Sequence, residues 1–257
     1  MSSSAIPIDS NSLLAFPPEF DFIPMIKQIN SNFKSSSTSD ILSAINSLLL
    51  LLKFEQTLFT LSMDNVFDYF IKHLQSENTS IMENCLLLIC EMYSTYNKEM
   101  QFKDWLRTLI KKLLKLSTLP IESIAKLANL ALNNIIKNYM SFDYLEQFIE
   151  KLESNNYAIA QKAAAFTFEV IAEYDEETRI ELIEWDLLFG TIIKMTVNGT
   201  NEDIANKLYF ELKKLCAPSK WEEILSKASN MTLSNLLLID RFDMKKIMSI
   251  KKKNEDL

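Results

Sequence analysis

The sequence predicts an all-α solenoid, built from helix pairs stacked along one axis. Three observations carry that prediction. First, a short polar loop followed by a helix with an isoleucine in its first turn recurs at Ile41, Ile81, Ile124, Ile159 and Ile204, with spacings of 40, 43, 35 and 45 residues. Second, the 257 residues include only two glycines, Gly190 and Gly199, so little is available for sheet turns or phosphate-cradling loops. Third, apolar residues make up 48% of the chain, enough for a continuous core, and they fall mainly at helical three- and four-residue spacing.

Taken in order, the serine-rich residues 1–16 are expected to be disordered, with Leu13, Leu14 and Phe16 placed to pack on the first helix. Pro17-Pro18-Glu19 reads as a helix start, followed by the stripe Phe20, Ile23, Ile26, Ile29 and Phe33. Ser39-Asp40 reads as the cap of its partner, which runs through Leu48–Leu52. Asp64 is expected to cap a helix carrying Val66, Phe67, Phe70, Ile71 and Leu74, and residues 79–96 form the next. The third pair spans 101–116 and 120–138, and the fourth 142–153 and 156–174. The fifth spans 176–197 and 201–216, with a break expected near Trp185 or Gly190. Pro218 starts a capping helix through Trp221, Ile224 and Leu225, and residues 231–239 seal the end. The folded domain is therefore expected over 17–240, followed by a basic polar tail over 241–257.

A period near 40 residues is that of HEAT and armadillo repeats, here about five helix pairs with a C-terminal cap. In such stacks the loops within pairs line one edge and form a ridge. A ridge suits recognition of a large flat partner better than chemistry in a pocket.

Composition narrows the function further. The net charge of −7 disfavours general nucleic-acid binding, which rests on neutralising phosphates. Cys85, Cys90 and Cys216 follow no metal or disulfide spacing and read as reduced thiols. The N-terminus lacks the basic and apolar regions of a signal peptide, and the run Leu48–Leu52 is too short to span a bilayer. A soluble, cytoplasmic monomer without membrane insertion is expected. No phosphate-loop, dinucleotide or nucleophile-elbow pattern is present, and His73 is the chain's one histidine. No enzyme activity, cofactor or metal is expected. Asp175, Glu176, Glu177, Glu181, Glu184 and Asp186 read as a solvated helix start. Lys103, Arg107, Lys111 and Lys115, with Lys112 beside them, read as a solvated face opposite Phe102, Leu106, Leu109, Leu113 and Leu116, and as the best electrostatic candidate for meeting an acidic surface. Trp105, Trp185 and Trp221 read as core.

Over roughly residues 20–230 the order of segments resembles a TOG domain, the tubulin-binding HEAT module of the XMAP, CLASP and crescerin proteins, with the crescerin and CLASP branch most similar. The segments that carry it are Asn78-Thr-Ser-Ile-Met-Glu-Asn-Cys-Leu-Leu-Leu, Leu113-Leu-Lys-Leu-Ser-Thr-Leu-Pro-Ile-Glu-Ser-Ile-Ala-Lys, Tyr157-Ala-Ile-Ala-Gln-Lys-Ala-Ala-Ala, Lys194-Met-Thr-Val-Asn-Gly-Thr-Asn-Glu-Asp-Ile-Ala-Asn-Lys and Trp221-Glu-Glu-Ile-Leu. The resemblance implies contact with αβ-tubulin or the microtubule through the five intra-pair loops, and a cytoskeletal location, with a cilium or basal body as one setting. On this sequence the ridge falls on Phe33, Lys34 and Ser35, on Gln75 and Asn78, on Lys115, Thr118 and Lys126, on Asn155, Asn156 and Lys162, and on Asn198, Thr200 and Lys207. The sequence departs from the family pattern at the first loop, which has no tryptophan and for which Phe33 is the nearest large residue, and at Glu77 and Glu202, which stand in later loops. A HEAT adaptor for another protein, without tubulin contact, is the alternative.

Overall fold

A computed structural model describes residues 15–94, 103–138 and 144–240. Among these residues there are 13 helices and no strands. The chain forms two compact units that meet in sequence between Tyr139 and Met140.

The first unit holds α1 (Phe22–Asn32), α2 (Thr38–Phe54), α3 (Gln56–His73), α4 (Thr79–Ser94), α5 (Lys103–Leu116) and α6 (Glu122–Asn138). Each even-numbered helix packs on the odd-numbered helix before it; α2 also packs on α4 and α4 on α6, while α1 packs on α3. Two rows of helices result, and Phe67 of α3 stacks on Trp105 of α5 at 5.3 Å to extend the odd row. Leu48, Leu51 and Leu52 of α2 are fully buried. Burial of such side chains contributes about 1.5–3 kcal/mol each.

The second unit holds α7 (Leu145–Leu152), α8 (Tyr157–Ala172), α9 (Glu176–Leu182), α10 (Trp185–Val197), α11 (Glu202–Lys214), α12 (Pro218–Lys227) and α13 (Asn230–Leu236). Here α7 packs on α8 and α10 on α11, and the rows are α7 with α10 and α8 with α11. The helices α12 and α13 pack on α9 and α10, respectively. Trp221 of α12 sits 6.0 Å from Trp185, 5.9 Å from Phe189 and 5.6 Å from Tyr209, so an aromatic cluster closes this unit's core.

Side-chain hydrogen bonds between distant helices have a narrow range of sequence separations. In the first unit they run from His73 to Phe33 (40 residues), Asn78 to Thr38 (40), Cys90 to Leu127 (37), Asn134 to Cys90 (44) and Asn138 to Tyr93 (45). In the second they include Arg179 to Leu215 (36), Lys194 to Glu153 (41), Tyr157 to Asp203 (46) and Asn201 to Ser154 (47). Asn134 meets Cys90 and Asn138 meets Tyr93, three residues further along α4, so α4 and α6 run parallel and their N-termini share an edge.

Several boundaries differ from expectation. The first helix starts at Phe22, not Pro17: Pro17 accepts from the Phe20 amide at 3.0 Å to make a turn, and Asp21 caps the helix by accepting from Ile23. Ser37, not Ser39, precedes α2. Asp64 lies inside α3, because Phe59, Met63, Val66 and Phe70 form one buried stripe that carries the helix back to Gln56. Ile159 is half-buried and Ala160 turns inward instead, so the shortest spacing also shifts the register by one residue. The expected break in the fifth pair falls at Ile183–Glu184, where Ile183 is extended at φ −84° and ψ 129°, and Gly190 lies mid-helix. Phe16, placed by the sequence to pack on the first helix, has its ring 4.9 Å from that of Phe22, the first residue of α1. Leu13, Leu14, Phe102 and the 241–257 tail lie outside the described residues.

Candidate functional site

Three of the loops within helix pairs, the first, second and fourth, share one device. In the first, Ser35 Oγ accepts from the Ser37 amide at 3.0 Å and donates to Asp40 Oδ2 at 2.8 Å. In the second, Ser76 Oγ accepts from the Asn78 amide at 3.1 Å, and Asn78 Oδ1 then accepts from Ser80 and Ile81 at 3.0 and 3.4 Å. In the fourth, Ser154 does the same for Asn156, which caps Ala158 and Ile159 at 3.0 and 3.3 Å. A serine two residues ahead of the capping position thus satisfies its amide, and the capping position opens the helix. Asn78 Nδ2 also donates to Thr38 Oγ1 at 3.2 Å, joining the second loop to the first. In the second unit Asn201 stands in the left-handed region at φ 59° and donates to the Ser154 carbonyl at 2.9 Å, joining the fifth loop to the fourth. The first and second loops therefore lie side by side in the first unit, and the fourth and fifth in the second.

The expected contact residues take different places. Lys34, Gln75, Lys115, Asn155, Asn198 and Lys207 are exposed on or beside their loops. Ser35, Asn78, Thr118 and Asn156 make loop-building hydrogen bonds, Thr118 by donating to the Lys115 carbonyl at 2.9 Å. Thr200 is half-buried in the fifth loop, whose glycine, Gly199, takes φ +64°. Phe33 is a correction: it is 1% exposed and packs against Phe70 at 6.4 Å and His73 at 5.8 Å, so its ring turns into the core. His73 Nε2 lies 3.0 Å from the Phe33 carbonyl, an oxygen that can only accept, so that nitrogen donates.

The lysines have local partners. Lys126 pairs with Glu122 at 2.6 Å and Lys207 with Glu211 at 3.8 Å, each one turn away on its own helix. Lys162, half-buried, interacts with Glu169, whose carboxyl is pushed up chiefly by burial and also by Glu173 and pulled down by Lys162. Lys34 and Lys72 lie 5.7 and 5.1 Å from the centroid of the Tyr69 ring. That cluster places two cations and an aromatic face beside the first two loops.

Large apolar side chains stand exposed at the later loops, and the sequence reading passed over them. Tyr157, the first residue of α8, is 48% exposed, and Val197, the last of α10, is 62% exposed. Tyr157 donates its hydroxyl to Asp203 Oδ2 at 2.5 Å, which holds the Asp203 carboxyl below the usual range and pushes the phenol up. Their position at the ends of otherwise amphipathic helices was the available signal.

Along α5, Arg107 and Lys115 are exposed, Lys111 and Lys112 half-buried, and Leu106, Leu109, Leu113 and Leu116 buried beneath them. The acidic stretch is largely structural. Asp175 caps α9 by accepting from the amide and hydroxyl of Thr178, each at 2.8 Å. Glu176 accepts from the Ala217 amide at 2.7 Å and Asp186 from the Ser229 amide at 3.2 Å. Among the described residues, no three histidine, cysteine, aspartate or glutamate side chains are grouped to hold a metal ion. Nor is any described helix long and apolar enough to cross a membrane.

Comparison with protein-family models finds no match, and neither does comparison with curated proteins.

Proposed function

We propose that each unit is a stack of HEAT-like helix pairs and that the chain is a TOG-like, non-catalytic recognition module for αβ-tubulin or the microtubule. The observation that carries this reading is the lateral joining of intra-pair loops, by Asn78 to Thr38 in the first unit and by Asn201 to Ser154 in the second. Loops seated side by side and rigidly capped offer a preformed contact surface, so little ordering entropy opposes binding. The recurring 36-to-49-residue offset of inter-helix hydrogen bonds supports the repeat reading. The exposed Lys34 and Lys115 are the cations best placed to meet an acidic partner, with Lys207 beside the fifth loop. Recognition of one partner conformation would need neither nucleotide nor metal, in a cytoplasmic, cytoskeletal setting.

Size-exclusion co-elution with soluble αβ-tubulin at low and moderate salt tests the proposal. A co-eluting complex that weakens with salt is expected, because exposed charge pairs are screened. Reversing Lys34, Lys115 and Lys207 together should weaken the complex further, and unchanged affinity would reject the loop surface.

A HEAT-type adaptor for another protein, at a cilium or centriole, is the second reading. It is favoured by the buried Phe33 ring, by the glutamates beside Lys126 and Lys207, and by Glu153, Glu202 and Asp203 around the fourth and fifth loops. No co-elution with tubulin at micromolar concentration would select it.

A further inference from the structure

The outer face of α1 carries more apolar surface than a solvent-facing helix needs. Among the described helices, α1 packs on α2 and α3. Ile29 is its one buried residue, whereas Ile23 is 61% exposed and Pro24 beside it is exposed too. The turn ahead of the helix adds Phe20, 37% exposed, with exposed Pro17 and Pro18. The rings of Phe16, Phe20 and Phe22 lie within 5.0 Å of one another, and Phe16 lies 6.2 Å from Phe54 at the end of α2. The patch is therefore a fixed platform. A residue of α3 extends it. The chain reverses from α1 into α2 and again into α3, so α1 and α3 run the same way, and their C-terminal ends meet where Phe33 packs on Phe70. Ile23 stands ten residues before Phe33, and Leu61, 56% exposed, stands nine before Phe70. The two are thus within a turn of the same level. Contiguous exposed apolar surface of this kind marks an interaction site.

The charges around the patch indicate what covers it. Glu19 and Lys27 are both exposed, and each stands four residues from Ile23, one on either side. Neither forms an ion pair among the described residues. At about 1.5 Å per residue, each charge lies roughly 6 Å along the chain from Ile23. When α1 of a second copy lies antiparallel across Ile23, that residue meets its own counterpart. Lys27 then falls opposite Glu19 of the other copy, and the twofold axis repeats the pair. The surface is complementary to itself, with an apolar centre flanked by opposite charges at equal distance.

We infer that two copies of this chain associate through the N-terminal half of α1, antiparallel about Ile23, in place of the monomer that the sequence leads one to expect. Phe20 and Leu61 border the apolar centre, and Lys27 pairs with Glu19 of the other copy. The contact is one short helix and its flanks, so the dimer is weak and concentration-dependent. The first intra-pair loop lies at the opposite end of α1 and stays clear. The dimer therefore offers two loop surfaces to a partner, and it forms without tubulin or an adaptor partner.

Sedimentation velocity of the full chain from about 1 to about 300 µM is the test, since an interface this small reaches micromolar affinity at most. The sedimentation coefficient should rise with concentration toward that of a dimer. I23D should stay monomeric throughout, and E19K and K27E should each associate several-fold more weakly. Mixing E19K with K27E should restore association, because both charge contacts of the mixed dimer again join an acid to a lysine. Circular dichroism checks that each variant is folded. A full chain that stays monomeric at the highest concentration would overturn the inference, whatever else covers the patch. So would a dimer that survives I23D, or a mixture that associates no better than its components.

Discussion

Arg179 shows how much one buried cation can organise. It is 8% exposed, and it donates from Nε to the Ile171 carbonyl at 3.0 Å, from Nη2 to Ala172 at 3.1 Å and from Nη1 to Leu215 at 2.9 Å. One guanidinium thus caps the C-termini of α8 and α11, where the helix dipole favours positive charge. Arg179→Met should lower stability by about 2–4 kcal/mol, read from urea denaturation, because three carbonyls lose a charged donor. The thiols behave differently. Burial pushes the Cys85 thiol well up, and burial followed by Glu91 pushes Cys90 up to about 12. Both should resist a thiol reagent at neutral pH until the chain unfolds, while the half-buried Cys216 reacts first; rapid labelling of all three in the native protein would contradict this. Asp175 and Asp203 are held below the usual carboxyl range, first by the Thr178 amide and the Tyr157 hydroxyl respectively. A depressed native value contributes stability above the unfolded value of about 3.9, and that contribution disappears as pH falls through the native value. Asp175→Asn should therefore flatten the acid limb of a helicity titration.

At the scale of the element, the two glycines separate propensity from conformation. Gly190 lies inside α10, and an added Cβ would meet nothing within 4 Å. Gly190→Ala should stabilise by about 0.5–1 kcal/mol, since alanine loses less backbone entropy on forming a helix. Gly199 has the same open surroundings but φ +64°, so Gly199→Ala should cost about 1–2 kcal/mol. Opposite shifts in melting temperature would check both. The apolar stripe of most helices was legible in the sequence, because three- and four-residue spacing is local, but in α1 only Ile29 is buried, while Ile23 and, just ahead of the helix, Phe20 stand exposed. Helix starts were less so. Asp21 caps α1 and Asp64 caps nothing, although both are aspartates ahead of apolar residues. The difference is that Phe59 and Met63 find core partners N-terminal to Asp64, and their burial outweighs a local capping preference.

For the whole molecule, each unit has hydrogen bonds of its own between elements distant in sequence, such as Asn138 to Tyr93 in the first and Asn201 to Ser154 in the second. Each unit also has its own fully buried large side chains, Phe59 and Phe70 in the first and Trp221 and Phe189 in the second. A chain ending at Tyr139 should therefore keep a helical spectrum and melt cooperatively, and a featureless melt would contradict this. Leu48→Ala, at the contact of α2 with its neighbours, should cost the first unit about 2–5 kcal/mol.

The sequence by itself determined the helical class, the burial of the three tryptophans and the break beside Trp185. All of these follow from periodicity and composition along a short stretch of chain. Only the tertiary structure decided which polar residues build the loops and which stand free. Asn78 and Asn155 are both loop asparagines, yet Asn78 is used in a cap and a bond to Thr38, whereas Asn155 is exposed. It likewise turned Phe33 inward and left Tyr157 and Val197 outside. The physical reason is that exposure and hydrogen-bond partnership depend on which helix lies alongside, and that neighbour comes from about 40 residues away.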